Sequence, residues 1–368
     1  MKNLRIAIAS TNRNKYSETF IQNHITHLPN VACVLSDGYL PTSYSLNRGK
    51  TFYSILPNAI DKFIVKLKGE QISPYLLSKV LKKERVQVML AEYGPSGVEM
   101  MPICKQLNIP LIVHFHGYDA YRNDVLNSYG KQYKNLFQYA KATIAVSKDM
   151  EQQLKKLDCP ENKIHYLPYG IDTTLFSPKN SSTEKLIVSC GRFVKKKSPD
   201  LILKTFQEIH NRFPESKLIM IGDGELLPEC KLLANTLKID DCVVFKGAVE
   251  QKEVIETLQQ ASLFLQHSVV TEENDSEGTP VSILEAMACG ITVIATRHAG
   301  INDIITDGKT GFLVDEGDWK SMSVRAIELF DDESIIQQFG KNAREYVLNN
   351  HKLKNYISRL FELLTQSL

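Results

Sequence analysis

The sequence predicts an α/β protein built from two doubly wound domains in tandem. Three observations carry this. The chain has 368 residues, enough for two domains at roughly 150 residues each. Short, near-continuous apolar runs recur along it between stretches of helical periodicity, the pattern of parallel strands covered on both faces. A polar, loop-forming stretch, Phe176–Glu184, interrupts the pattern near mid-chain and reads as a linker. Hydrophobic residues make up 43% and charged residues 23%, a globular mix that excludes a disordered, collagen-like or coiled-coil chain.

In the first half the expected strands are Arg5–Ala9, Val31–Leu35, Val86–Ala91, Pro110–Phe115, Thr143–Val146 and Ile164–Leu167, with helical segments such as Gly97–Leu107 between them. In the second they are Lys185–Ser189, Lys217–Ile221, Val243–Phe245, Leu263–Leu265, Thr292–Ala295 and Gly311–Val314, with helices over Asp200–Arg212 and Gln251–Gln260. From about Trp319 to Leu368 the chain reads as wholly helical. The expected domains are residues 1–172 and 173–345, followed by a closing helical segment, 346–368. No apolar run approaches 18 residues, so no spanning helix is expected. The first apolar run is short and broken by Arg5, which suits a strand rather than a signal peptide. The seven cysteines lack any C-x-x-C spacing, which points to a reduced, cytoplasmic protein without a disulfide framework.

The net charge of +2 conceals an asymmetry: residues 1–178 carry +8 and residues 179–368 carry −6. The basic half is expected to meet an anionic substrate or surface. Segments Ile60–Lys68 and Leu76–Arg85 interleave apolar residues with Lys62, Lys66, Lys68, Lys79, Lys82, Lys83 and Arg85. They read either as solvated helix faces or as a peripheral contact with anionic lipid at the inner face of the plasma membrane. Nucleic acid is not an expected partner.

The stretch Ser276–Gly290 holds the densest chemistry. Thr279 suits an N-cap, Pro280 the first helical position and Gly290 a left-handed C-terminal position. The resulting helix of about ten residues has only two strongly polar side chains, Ser282 and Glu285, three apart and so on one face. Its free N–H groups and positive dipole end suit a phosphate, with Glu277 just ahead of it. A buried helix with one satisfied carboxylate is the plain alternative. Gly191-Arg192 and Lys195-Lys196-Lys197 follow a strand and precede a helix, where a guanidinium fork and lysines match phosphate oxygens. Gly222-Asp223-Gly224-Glu225 is a strand-to-helix turn, too short for a dinucleotide fingerprint. His114 and His116 alternate onto one side of a strand end. No convincing third and fourth ligand accompanies them, so no metal is expected.

Glu277-Gly278-Thr279-Pro280 with Glu285 eight residues on resembles the E-x7-E motif of retaining family-4 glycosyltransferases. Ala286–Gly290, Thr292–Thr296, Gly191-Arg192 with Lys197, Gly222-Asp223-Gly224, His116-Gly117-Tyr118-Asp119, Ser147-Lys148 and Gly170-Ile171-Asp172 match the family in the same order. Ser17–Ile21 and His116–Asp119 are similar to its bacterial exopolysaccharide and lipopolysaccharide branch.

The resemblance implies a GT-B fold: two Rossmann-like doubly wound domains facing a cleft, acceptor on the first and nucleotide-sugar donor on the second, with the last helix crossing back to the first. It implies a glycosyltransferase that moves sugar from a nucleotide-diphosphate donor, UDP-sugar favoured over GDP-mannose, to a glycan or lipid-linked acceptor. No cofactor is implied. A nucleotide-sugar epimerase and a non-catalytic nucleotide-sugar binding protein are the alternatives. By motif position, Arg192 and Lys197 (or Lys196) bind the diphosphate, and Glu285 accepts from the ribose. Glu277, Gly278, Thr279 and Pro280 hold the donor sugar and phosphate, Gly222 and Gly224 line the donor loop, and His116 sits beside the sugar. Tyr93, Ser96 and Asn14 are the expected acceptor contacts. Tyr169 and Ser198 replace the family's usual Asn and Gly.

Overall fold

The computed structural model describes residues 4–13, 18–46, 48, 50–69, 71–179 and 184–368, with Lys68 described by its backbone alone. Asn14, expected at the acceptor, and residues 180–183 of the expected linker lie outside these. The chain divides into two compact units, Met1–Leu167 with Ile357–Leu368, and Pro168–Tyr356.

The first unit carries an eight-stranded sheet: β1 Ile6–Ala9, β2 Val31–Ser36, β3 Ser43–Leu46, β4 Thr51–Ser54, β5 Val88–Glu92, β6 Leu111–Phe115, β7 Ala142–Ala145 and β8 Ile164–Tyr166. Their order is β4-β3-β2-β1-β5-β6-β7-β8. Strands β1, β5, β6 and β7 are buried along their whole length, as the unbroken apolar runs require of a sheet covered on both faces. Strands β3 and β4 are a correction to the all-parallel expectation. They pair antiparallel to each other, and β3 pairs antiparallel to β2. Their sequences, Ser-Tyr-Ser-Leu and Thr-Phe-Tyr-Ser, lack the continuous apolar run that marks a buried strand, and β4 is a largely exposed edge.

The second unit is a six-stranded, wholly parallel sheet: β9 Leu186–Cys190, β10 Lys217–Ile221, β11 Val243–Gly247, β12 Leu263–Gln266, β13 Thr292–Thr296 and β14 Gly311–Val314. Its order, β11-β10-β9-β12-β13-β14, is the 3-2-1-4-5-6 arrangement of the Rossmann fold, which places a ligand beyond the carboxyl ends of the strands where the order reverses. That point lies between β9 and β12. Ile187, Leu203, Phe206, Leu263, Leu265 and Leu329 anchor a core of side chains with almost no exposure. The C-terminal stretch is helical, as expected, but in three pieces: Trp319–Asp331, Glu333–Asn350 and Leu353–Gln366. Asp318 and Asp332 accept from Ser321 N–H and Ser334 N–H respectively, so each starts a new helix as an N-cap. All seven cysteines are free.

Candidate active site

In the second unit, the carboxyl end of β9 runs into Gly191-Arg192. Gly222 and Gly224 follow β10 with φ of 132° and 156°, values that favour glycine. Close approach adds to the requirement. A Cβ on Gly222 would lie 1.9 Å from the Gly191 carbonyl oxygen, and one on Gly224 would lie 2.4 Å from that of Phe193. The two loops are stitched together by Gly191 N–H to the Ile221 carbonyl (2.9 Å) and Phe193 N–H to the Asp223 carbonyl (3.0 Å). The glycines therefore set where Arg192 sits. Gly222→Ala is expected to displace Gly191 and Arg192, costing about 1–3 kcal/mol of stability as overpacking does. Thermal melting of the variant beside the parent checks it.

Lys195–Lys197 form a short 3-10 turn that ends at Ser198, φ 37°. This left-handed position is one that glycine adopts at least cost, as the glycine implied there by the family resemblance would. The three lysines separate by role. Lys195 is exposed. Lys196 is buried, its Nζ donating to Asp275 Oδ1 (2.9 Å) and the Ser276 carbonyl (3.3 Å), so it pins the loop ahead of the helix. Lys197 Nζ lies 3.0 Å from Glu277 Oε1, both largely buried. A depression lined by Cys190, Gly191, Arg192, Lys197 and Gln266 opens here, at the point where the strand order reverses. Arg192 makes no ion pair among the described residues. Burial depresses the Lys197 ammonium, with Glu277 opposing the shift. Burial alone would raise Glu277, but Lys197, Lys196 and His298 hold it at about 2. Glu277 is therefore held as a carboxylate opposite the Lys197 Nζ.

The helix beyond is Val281–Ala288, eight residues, one residue later at its start than expected. Pro280 occupies the N-cap with extended backbone (φ −70°, ψ 115°), and no side chain caps the helix. Proline presents no side-chain acceptor, so the Thr279 N-cap expectation is corrected. The N-cap residue thus offers no side chain to the first-turn N–H groups. Gly290 adopts φ 76°, and Ile291 N–H returns to the Ala286 carbonyl (3.1 Å), the C-terminal closure expected of a left-handed glycine. Ser282 Oγ donates to Gln266 Oε1 (3.0 Å), which ties the first turn to the depression. The Glu285 carboxyl, on the same face, accepts no hydrogen bond among the described residues, and burial raises it to about 7.

His298 was not singled out in the sequence. Its Nε2 accepts from Glu277 N–H (3.1 Å), and its Nδ1 lies 2.6 Å from Glu316 Oε1. Glu316 in turn accepts from Val270 N–H (2.9 Å). The backbone of Glu277 is thus held by a histidine whose tautomer a carboxylate fixes.

In the first unit, a different cluster occupies the carboxyl ends of β5 and β6. Glu92 is the register partner of His114 on the neighbouring strand. Glu92 Oε1 lies 2.6 Å from His24 Nδ1, and Oε2 lies 2.8 Å from His116 Nε2 and 3.6 Å from His114 Nδ1. Glu92, His24 and His114 have no exposed surface. Burial raises the Glu92 carboxyl, but His24 and His116 overcome it and the net shift is downward. Burial pushes His114 well below its ordinary value. His24, Glu92 and His114 also meet as a possible ligand set, their donor atoms within 4.8 Å of one another. The sequence search for a third and fourth ligand missed His24 and Glu92. However, contacts of 2.6 and 2.8 Å are hydrogen-bond lengths. Two ligands each about 2.0–2.1 Å from one tetrahedral zinc stand farther apart. We read the cluster as a hydrogen-bonded network around one carboxylate.

Asp119 fixes the adjoining loops. Its Oδ1 accepts from the N–H groups of His116 (3.0 Å) and Gly117 (2.9 Å), and its Oδ2 from Gly94 N–H (3.0 Å). The Tyr93 ring packs edge-on to His116, centroids 4.7 Å apart. Tyr93 and Ser96, expected at the acceptor, are both buried; Tyr93 sits at a strained φ of 76° beside His116, and Ser96 lies in the following helix, Gly94–Leu107. The structure thus groups Arg192, Lys197, Glu277 and the Val281–Ala288 helix within one unit, and His116 with Tyr93 in the other.

Two family models match. "Glycosyl transferases group 1" covers residues 171–346 and "Glycosyltransferase Family 4" covers residues 52–175. The putative colanic acid biosynthesis glycosyltransferase WcaL of Escherichia coli K12 is 30% identical over 292 residues, which span 77% of this chain and 71% of WcaL. The chain belongs to glycosyltransferase family 4. This family-4 enzyme is also 26% identical over 320 residues to the amylovoran biosynthesis glycosyltransferase AmsK of Erwinia amylovora, covering 84% of this chain and 79% of AmsK. Among solved structures, Anabaena HepE in complex with UDP-glucose superposes with a TM-score of 0.81 over 99% of this chain and 100% of HepE at 14% identity. The fold of this glycosyltransferase is therefore GT-B.

The raised Glu285 carboxyl gives the transferase a pH signature. Its folded value of about 7 lies above the ordinary 4.5, so the folded state holds the proton more tightly than the unfolded chain. Its contribution to stability is greatest below pH 4.5 and is lost as pH rises through 7. The shift corresponds to about 3 kcal/mol. Glu285→Gln is expected to melt higher than the parent at pH 8, with the difference shrinking toward pH 5. Melting curves across that range check it.

Proposed function

We propose that the enzyme transfers a sugar, with retention of anomeric configuration, from a nucleotide-diphosphate donor to a glycan or lipid-linked acceptor in the synthesis of a cell-surface polysaccharide. The observation that carries this is the grouping of Arg192, Lys197, Glu277 and the uncapped first turn of the Val281–Ala288 helix around one strand-end depression in a Rossmann unit. As the glycosidic bond breaks, negative charge accumulates on the departing diphosphate. Two fixed cations and a helix N-terminus aimed at that charge lower the barrier, the contribution that usually matters most in catalysis. They do so without reorganising, because the loop carrying Arg192 is locked by glycine packing and Lys197 is held by Glu277.

In this reading Lys197, rather than Lys196, meets the phosphate, since Lys196 is committed to Asp275 and Ser276. Glu277 positions Lys197 and the donor sugar, and Glu285 accepts from the ribose hydroxyls. His116 stands beside the donor sugar, with Glu92 setting which of its nitrogens carries the proton. No side chain is assigned as a nucleophile. The departing phosphate oxygen takes the acceptor's proton as the acceptor attacks from the same face. UDP-sugar is the favoured donor, supported by the likeness to a protein solved with UDP-glucose. WcaL and AmsK, named for colanic acid and amylovoran biosynthesis, support a polysaccharide product. With cations supplied by the protein, turnover needs no metal. A lipid-linked acceptor makes cytoplasmic placement with peripheral attachment to the inner face of the plasma membrane part of the proposal.

The test is incubation with a panel of UDP- and GDP-sugars and membrane-derived acceptor, scoring released nucleotide and the anomeric configuration of the product by NMR. Release of UDP, an α-linked product from an α-donor and insensitivity to EDTA are expected. Absence of release with every donor, or conversion of the nucleotide sugar to an epimer with no acceptor consumed, overturns the reading.

A further inference from the structure

The helix Ala59–Lys68 is amphipathic twice over. Its inner face holds Asp61 and Val65, both buried. Asp61 is the sole acidic residue of the helix, and it is neutralised by Lys79 Nζ at 2.6 Å. It also completes a capping box with Asn58. A second apolar stripe faces away from the core: Ile60, Phe63 and Leu67, spaced three and four apart and so on one line of the helix, are 68%, 62% and 71% exposed, and Leu56 just ahead of them is 78% exposed. Scattered exposed apolar residues need no explanation, but three in line along one helix face mark an interaction site. Lys62 and Lys66 stand exposed on the same helix, and Lys82, Lys83 and Arg85 stand exposed at the end of the next one and just beyond it.

We propose that the outer face of the Ala59–Lys68 helix is a membrane-docking surface that inserts Leu56, Ile60, Phe63 and Leu67 into the headgroup boundary of an anionic bilayer. Charge decides for a lipid surface. Among the described residues of the stretch 51–83 the basic side chains are exposed, while the one carboxylate is buried and paired. A protein partner patch is ordinarily depleted of lysine at its core, whereas an apolar stripe bordered by lysines is the composition of interfacial helices. Anionic headgroups attract those lysines within a Debye length of the surface. The inference deepens the proposed peripheral attachment and rests on it for its biological sense. It is independent of the donor chemistry, because the flotation step itself contains no nucleotide sugar.

The experiment is flotation of the purified full-length chain with phosphatidylcholine vesicles and with vesicles also containing phosphatidylglycerol, at low and high salt. Flotation with the anionic vesicles only, weakened by salt, is expected. The double variant Phe63→Glu/Leu67→Glu should reduce the floated fraction about tenfold, with melting temperature unchanged and, in a separate assay, nucleotide release from the donor with a soluble acceptor unchanged. Lys62→Glu/Lys66→Glu should weaken binding and flatten the salt dependence. A parent protein that stays in solution, or a Phe63→Glu/Leu67→Glu variant that floats like the parent, overturns the assignment. So does a parent that self-associates through this face and loses both self-association and flotation in the Phe63→Glu/Leu67→Glu variant. Loss of nucleotide release in the parent would instead count against the glycosyltransferase reading and leave the vesicle result standing.

Discussion

Arg192→Ala is expected to lower kcat/KM by about a hundred- to a thousandfold, and Lys197→Ala to do at least as much, the cost of removing one preorganised donor to a charge that grows in the transition state. In free energy this is about 2.7–4 kcal/mol. The two variants should differ in stability. Arg192 has no ion-pair partner among the described residues, so its removal leaves no group stranded and the melting temperature should hold. Lys197 is the 3.0 Å partner of Glu277, whose carboxylate is held ionised by Lys197 first, then Lys196 and His298. Truncating Lys197 leaves that buried charge short of its main counterion, so Lys197→Ala should lose stability as well as rate. Lys196→Ala should show the opposite balance, a stability loss through the freed Asp275–Ser276 loop exceeding its direct effect on the chemical step. Initial rates with saturating acceptor, read beside melting curves, separate the three. Full activity in both Arg192→Ala and Lys197→Ala contradicts the site.

The second large effect is on folding. Glu92→Ala is expected to cost about 3–5 kcal/mol, the penalty for removing one partner of a buried charged network. Glu92 is buried with His24 at 2.6 Å and His116 at 2.8 Å, so truncation removes the carboxylate that both imidazoles face. Glu92→Gln keeps the shape and one acceptor oxygen, and should cost less. The pH dependence has a defined sign. The folded Glu92 carboxyl lies below its ordinary 4.5, so its stabilisation is present above that value and is lost as the pH falls. The gap between parent and Glu92→Gln should therefore narrow on acidification from neutrality. Urea unfolding at several pH values measures it. A gap that widens in acid contradicts the network.

Much of this architecture was legible from apolar runs alone. All twelve expected strands overlap observed ones, because both sheets are covered on their faces and such strands announce themselves as uninterrupted Val, Ile, Leu and Ala. Strands β3 and β4 escaped for the converse reason. A hairpin at a sheet edge needs one half-buried face at most, and Ser, Tyr and Thr supply that without an apolar run. The cationic loop and the helix after Glu277 were readable because their residues are contiguous. The histidine network was not. His24 and Glu92 are 68 residues apart, and only the register pairing Glu92 with His114 across two parallel strands brings the carboxylate to the imidazoles. The same holds for His298, whose link to Glu277 spans 21 residues. Had the Pro110–Phe115 and Val86–Ala91 runs been aligned as neighbours, the buried Glu one residue past the second run would have been the signal. Thr279 was misread as an N-cap because composition favours threonine there, whereas the extended Pro280 delays the helix by one residue.

The most direct measurement is a crystal structure with UDP bound. The account predicts that the diphosphate rests against the first turn of the Val281–Ala288 helix, within hydrogen-bonding reach of Arg192 and Lys197, and that the ribose hydroxyls face Glu285. Phosphates bound at any other strand end, beyond reach of Arg192 and Lys197, would contradict it.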